Sequence, residues 1–148
     1  SEEAWAQAGR LLEALDPEVV AQVQAGLARS ESTGQAAMRE LHAQQRDAAS
    51  WQDPRALEIY PGLWSGVGLV RGGAGTALVG SHAEVAELMA EYAAVGIDEF
   101  VLSGYPHLEE LYWFGEGVIP QLAQRGLLDG GPAAQGSGFA GTPFVTAR

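Results

Sequence analysis

The sequence predicts a mixed α/β fold in which helices predominate. Apolar residues recur at spacings of three and four in several segments, which is the pattern of amphipathic helices. In the second half of the chain, a helical segment, a glycine, an apolar run, a tight turn and another helical segment follow one another, an order typical of α/β proteins. The 148 residues and their 47% hydrophobic content suit one domain with a buried core.

Three helices are expected in the first 45 residues. The first covers residues 2–15, and the third, which is more polar, runs from Gln35 to about Gln45. The second begins at Asp16 and Pro17, an N-cap followed by a first-turn proline. The apolar faces of the first two helices consist of Trp5, Ala8, Leu11, Leu12 and Leu15, and of Val19, Val20, Val23 and Leu27.

Residues 46–80 predict an insertion that carries a mobile loop. Residues 46–62 show little periodicity and contain Pro54 and Pro61, and long segments of this kind are typical of lids and binding loops. Residues 66–80 contain six glycines in fifteen positions. This stretch is therefore not expected to form a regular helix, and its backbone can approach a ligand closely.

The second half of the chain predicts a helix, a strand and a further helix. Ser81 and Glu84 form a capping box that starts the first of these helices, and Gly96 ends it. Residues 97–102 predict a buried parallel strand, and the last helix begins near His107. The inward faces are expected to carry Val85, Leu88, Met89, Tyr92 and Val95, and Leu108, Leu111, Tyr112, Val118, Ile119 and Leu122. The Gly-, Ala- and Pro-rich residues 125–148 are expected to be disordered.

Composition excludes several classes of protein and partner. The net charge of -11 disfavours nucleic acid and anionic membrane surfaces, which would repel the chain. No apolar run is long enough to span a membrane, and no signal peptide opens the sequence, so we expect a soluble, cytoplasmic protein. The chain has no Cys, which excludes thiolate nucleophiles and Cys-ligated metals. His42 and His82 are isolated from carboxylates at metal-ligand spacing, so no metal site is expected.

Arg71 and Tyr105 are the candidate functional residues. The glycines around Arg71 do not match a Walker loop, because the chain has no Lys. Arg71 is therefore either a surface arginine in a mobile loop or a clamp for a sulfonate or phosphate, which arginine binds bidentately. Tyr105 follows the predicted strand, where α/β proteins place ligand-binding residues. It is either a hydrogen-bond donor to a ligand or a side chain that packs over the strand end, and His107 could face the same cavity.

Two segments together resemble the flavin-dependent alkanesulfonate monooxygenases of the bacterial-luciferase-like superfamily. Residues 63–80, LWSGVGLVRGGAGTALVG, resemble the flexible loop of these enzymes, and residues 100–110, FVLSGYPHLEE, resemble their last barrel strand and the turn after it. The first segment is the more specific of the two. The resemblance extends loosely over residues 1–124, which would form the C-terminal part of a (β/α)₈ barrel, an incomplete barrel with one or two strands.

The resemblance implies a reaction, a cofactor and partners. Members of this family take reduced FMN from a separate NAD(P)H-dependent reductase and use O₂ to convert an alkanesulfonate to an aldehyde and sulfite. It implies that Arg71 and Tyr105 act in catalysis, and that Arg71, Gly72, Gly73 and Tyr105 contact the cofactor. It also implies a homo-oligomer, commonly a tetramer. The family's active-site cysteine and its paired arginine and histidine belong to earlier barrel strands, so this piece alone is expected to be inactive.

Three alternatives stay open at the level of sequence. The parent protein could be a related monooxygenase that acts on another organosulfur compound, an amine chelator or an alkane. The chain could instead be a binding module without chemistry, in which an acidic helical domain carries a glycine-rich lid. It could also be a truncated remnant. The upstream coding sequence would discriminate among them.

Overall fold

The computed structural model describes residues 1–44, 53–73 and 75–128, which form two compact units. One unit is Glu2–Val79, and the other begins at Gly80, with residues 80–128 described. The predicted mixed α/β class with a majority of helix is confirmed. The described residues form a small three-stranded antiparallel sheet and no closed barrel. None of their helices is long and apolar enough to cross a membrane.

Three helices open the first unit: α1 (Glu2–Glu13), α2 (Pro17–Leu27) and α3 (Thr33–Gln44). All three were expected, and their bounds differ from the prediction by two residues at most. Asp16 caps α2 as predicted, because its Oδ1 accepts the Glu18 amide at 2.8 Å. The predicted apolar faces are partly wrong, since Leu11 and Val19 are 37% and 49% exposed.

A small sheet follows, where the sequence predicted only a loop. Its strands are β1 (Glu58–Tyr60), β2 (Leu63–Trp64) and β3 (Ala77–Leu78), in the order β1-β2-β3. Pro61 and Gly62 connect β1 to β2, and Gly62 has a φ of 75°, which is the combination typical of a type II turn. Strands of two or three residues are too short to show alternation in the sequence, which explains why periodicity missed them.

The core of this unit joins the helices to the sheet. It consists of seven buried side chains, which come from α1, α2, β2 and two short 3₁₀ helices at Pro54–Leu57 and Gly66–Leu69. These side chains are Trp5, Ala8, Leu12, Val20, Leu57, Trp64 and Leu69. The segment between α3 and β3 is therefore built into the core at both 3₁₀ helices.

The second unit begins with α4 (His82–Ala94). The predicted capping box is confirmed, because Ser81 Oγ accepts the Glu84 amide at 3.3 Å and Glu84 Oε2 accepts the Ser81 amide at 2.6 Å. The hydrogen bonds from Ser81 lower the pKa of Glu84. Gly96 ends the helix with a φ of 93°, as expected for a glycine C-cap.

The last predicted helix is interrupted. It consists of α5 (His107–Trp113), a π-helical turn at Phe114–Val118 and α6 (Ile119–Gln124). The π turn shifts the helical register, so the buried side chains are Glu110, Phe114, Val118 and Leu122. The prediction was correct for Val118 and Leu122, but it was wrong for Leu108 and Tyr112, which are both 60% exposed.

The predicted buried strand at residues 97–102 is wrong for this chain. These residues form neither strand nor helix, and Val101 is 94% exposed. A parallel strand exists only where neighbouring strands supply its hydrogen bonds, and the described part of this unit contains no strand. Of the loop predicted at residues 46–62, residues 46–52 lie outside the described residues. The predicted disordered tail lies outside them from residue 129 onward.

Candidate functional site

Arg71 lies at the tip of a compact loop, which we call the 68–75 loop. The amide of Gly68 donates to the carbonyl oxygen of Gly75 at 3.0 Å, so the two ends of the loop are joined. Arg71, Gly72 and Gly73 are exposed. Gly73 has a φ of 85° with open space around the position of a Cβ, a conformation that glycine adopts without strain. The structure therefore presents an arginine and two glycine backbones to solvent on a closed loop.

Helix α3 supports the base of this loop. A Cβ on Gly68 would lie 2.8 Å from Met38 Cε and 3.0 Å from His42 Cε1, and a Cβ on Gly75 would lie 3.1 Å from Met38 Cε. His42 Nε2–H donates to the Ser65 carbonyl oxygen at 3.0 Å. Both glycines therefore pack closely against α3, and a larger residue at either position would need the Met38 side chain to move.

His42 is a buried side chain of α3 that supports the base of the loop. Its side chain is 6% exposed, and its Nδ1 has no hydrogen-bond partner in the part of the chain that the structure describes. Burial lowers the pKa of His42, and the hydrogen bond to Ser65 partly opposes this effect. The ring is therefore neutral near pH 7, with the proton on Nε2.

Helix α2 holds the loop on both sides of Arg71. Gln24 Nε2 donates to the carbonyl oxygens of Gly68 and Leu69, at 3.0 and 2.8 Å. On the other side of the arginine, a Cβ on Gly72 would lie 2.9 Å from Leu27 Cδ2. Gln24 and Leu27 are three residues apart, so they lie on the same face of the helix. The position of Arg71 is consequently coupled to α2.

The charge around the loop suits an anion. Residues 65–80 contain no Asp or Glu, although the whole chain carries a net charge of -11. Arginine stays protonated at any physiological pH, and its planar guanidinium matches the oxygens of a sulfonate, phosphate or carboxylate. A small anion at this loop would meet the Arg71 guanidinium and the exposed backbone of Gly72 and Gly73.

Tyr105 belongs to the second unit, and each unit is described by itself. Its side chain is 49% exposed, and its ring packs edge-on against His107, with centroids 5.4 Å apart and an interplanar angle of 82°. Both sequence interpretations of Tyr105 therefore stay open, because about half of the residue is exposed while its ring also packs against His107. The catalytic roles of Arg71 and Tyr105 stay predictions.

Sequence reasoning missed a buried carboxylate in the second unit. Glu110 lies in the first turn of α5, and it is only 2% exposed. In the same unit, His82 packs against Trp113 and Gly117. Its ring centroid lies 5.9 Å from that of Trp113, and its ring fills the space that a Cβ on Gly117 would need. The π turn creates this packing, and no sequence pattern announces it.

The residues present fit one part of a flavin cofactor and not the other. An anionic phosphate or sulfonate suits Arg71 and the exposed backbone of Gly72 and Gly73. The ring system of a flavin needs a concave apolar site that buries most of its surface, and Arg71, Gly72, Gly73 and Tyr105 are all exposed. Neither Arg71, Gly72 and Gly73 in the first unit nor Tyr105 in the second encloses a flavin ring, although each is open to contact with a charged group or an edge of FMN.

Neither a metal site among the described residues nor a family match was found for this chain. Within residues 1–44, 53–73 and 75–128, no group of three or more His, Asp or Glu side chains is arranged to hold a metal ion. No known family model matches the chain.

Proposed function

We propose that the chain is the C-terminal part of a two-component flavin-dependent monooxygenase that converts alkanesulfonates to an aldehyde and sulfite. The observation that carries the proposal is the 68–75 loop, which presents Arg71 beside two exposed glycines in a stretch without carboxylates. The resemblance of residues 63–80 and 100–110 to that family supplies the reaction. Reduced FMN, delivered by a separate NAD(P)H-dependent reductase, supplies the activation of O₂.

In this proposal, the residues of this chain bind the anionic ligand and shield it from water. Arg71 pairs with the anionic sulfonate, or with a phosphate of the cofactor, and holds it bidentately. Gly73 lets the backbone turn just after Arg71, so the exposed residues 71–73 can close over the ligand while α2 and α3 hold the base of the loop. Closure excludes water, which strengthens the ion pair and prevents wasteful side reactions. Tyr105 donates a hydrogen bond to the flavin or to the substrate.

The exposed run at residues 97–102 supports the proposal that this chain is part of a larger barrel. No backbone hydrogen bond within the described residues uses the amides or carbonyls of residues 98–102. Backbone groups without partners, together with an exposed Val101, are what a strand leaves when its neighbours are on another part of a protein. A stand-alone binding module would have no need of this surface.

The test is sulfite release by the longer protein that the upstream reading frame would encode. With a flavin reductase, NADH and a panel of alkanesulfonates, we expect sulfite release that Arg71→Ala lowers at least about 10-fold. Consumption of O₂ should continue in this variant, because the loss concerns shielding and binding. Arg125→Ala, which changes an exposed arginine of the second unit, is the matched control and should retain activity.

Two results would contradict the proposal. The first is sulfite release by the 148-residue chain alone, because the proposal places the remaining catalytic residues elsewhere. The second is an upstream reading frame that encodes no barrel strands, which would favour the binding module. Release of a different product across the substrate panel would instead identify a related monooxygenase.

A further inference from the structure

The geometry points to Gln24 as the positioning residue that fixes Arg71 over its anionic ligand. The inference rests on the proposed function, because it assigns a role in the same loop. In this role Gln24 acts through the backbone of the loop, whose Gly68 and Leu69 carbonyls it binds.

The first step of the argument is the direction of the hydrogen bonds. The side-chain amide of Gln24 donates both of its bonds to consecutive carbonyl oxygens, those of Gly68 and Leu69. These carbonyls end the 3₁₀ helix at Gly66–Leu69, and carbonyls at a helix end need an external donor. Gln24 supplies it from a residue 44 positions away in the sequence, so this contact belongs to the tertiary structure.

The second step is the placement of Arg71 between two contacts with one helix. Gln24 holds residues 68 and 69, and Leu27 closes on Gly72. Leu69 is 1% exposed and Arg71, two residues later, is exposed. The chain therefore passes from the core to solvent within two residues. Helix α2 contacts it before Arg71 through Gln24 and after Arg71 through Leu27. Loss of the Gln24 bonds would release the loop at the end that carries the arginine.

The third step is the partly exposed position of Gln24 in an otherwise apolar face. Val20 and Leu27 flank it at helical spacings of four and three residues, and Val20 is 2% exposed. A glutamine at such a position is stabilised only while its amide has partners. Gln22, on the same helix, is exposed and is the natural control.

The test is limited proteolysis of the full chain with an arginine-specific endoprotease, followed by mass spectrometry. Gln24→Met keeps the length of the side chain and removes its donor. We expect it to speed cleavage after Arg71 at least about 5-fold, with unchanged cleavage after Arg125. Gln22→Met should leave both sites as in the wild type. Gln24→Lys, which restores a donor at the tip of the side chain, should return cleavage after Arg71 close to the wild-type rate.

A second arm separates this inference from the proposed function. In 1-pentanesulfonate, cleavage after Arg71 should slow in the wild type and in Gln24→Lys, and not in Gln24→Met. Equal cleavage after Arg71 in the wild type and Gln24→Met, or equal acceleration at Arg71 and Arg125, would overturn the inference. If the sulfonate protects no variant while Gln24→Met still opens the loop, the positioning role stands and sulfonate binding by this chain fails.

Discussion

Two segments of this molecule differ in burial from what their compositions suggest. The glycine-rich stretch at residues 66–80 predicts a mobile loop, and the apolar run at residues 97–102 predicts a buried strand. In the structure, Leu69 of the first segment is 1% exposed, whereas Val101 of the second is 94% exposed. Composition therefore does not decide which segment is built into a core.

Whether a segment is buried depends on the hydrogen-bond and packing partners that surround it. The glycine-rich stretch accepts two hydrogen bonds from Gln24, and His42 donates to Ser65, the residue just before it. The glycines of the stretch leave room for the α3 side chains of Met38 and His42. In the apolar run, the ring of Phe100 contacts that of Tyr92 edge-on, with centroids 6.0 Å apart. Its backbone needs another strand, and backbone groups without partners remain exposed to water. A segment is ordered by what surrounds it as much as by its own residues.

Amide hydrogen exchange should show this contrast with the largest effect. The amides of Ser65, Gly68 and Val79 donate to backbone carbonyls at 2.8 to 3.0 Å, whereas those of residues 98–102 have no backbone acceptor within the described residues. We expect the first group to exchange at least about 100-fold more slowly than the second, relative to their intrinsic rates. Similar protection of the two groups of amides, measured by NMR on the full chain, would contradict the conclusion that the two segments differ in hydrogen bonding.

Substitution of Gly68 tests whether close packing orders the glycine-rich segment. Gly68→Ala places a methyl group 2.8 Å from Met38 Cε and 3.0 Å from the Gly75 carbonyl oxygen. We expect it to lower the free energy of unfolding by about 1–3 kcal/mol, measured by urea denaturation. The control is Gly26→Ala in α2, where nothing lies within 4 Å of the new Cβ. It should stabilise the helix by about 0.5–1 kcal/mol, and a neutral Gly68→Ala would contradict the packing argument.

The contrast also shows which features a sequence can predict. The cap of α2 at Asp16 and the capping box of α4 at Ser81 were predicted correctly, because their hydrogen bonds join residues two or three positions apart. Gln24 was not predicted as a support, since its acceptors lie 44 and 45 residues away. A polar residue between the apolar Val20 and Leu27 on one helix face is the sequence signal that could have suggested a long-range hydrogen-bond partner for Gln24.

The last helix shows a second limit of sequence reasoning. A continuous α-helix was assumed, so Leu108 and Tyr112 were placed inside. The π turn at Phe114–Val118 inserts a wider turn and brings Glu110 into the buried row instead. Local propensity does not predict the π turn, and in the structure this turn packs against α4. For the candidate site, sequence reasoning found Arg71 and its glycines, and the structure adds the helices that hold them.

The pH dependence of stability should sharpen the role of His42. Burial lowers its pKa in the folded state, so the unfolded state binds the proton more readily. Its contribution to stability is therefore complete above the ordinary pKa of about 6.5 and is lost as the pH falls below that value. Between pH 7.5 and 5.5, the urea midpoint of the wild type should fall relative to that of His42→Gln, whose amide can still donate to Ser65. Parallel profiles would contradict a buried, neutral His42.

The smallest effect is expected at the most exposed apolar residue. Val101→Ser should change the free energy of unfolding of this chain by less than about 0.5 kcal/mol, because Val101 is 94% exposed. Phe100→Ala, the matched substitution at the next residue, removes the ring contact with Tyr92 and should cost about 0.5–1.5 kcal/mol more. In a longer protein whose strands cover residues 97–102, the same Val101→Ser should become costly, by about 1–2 kcal/mol. A substitution that is neutral in both contexts would mean that no strand covers this surface.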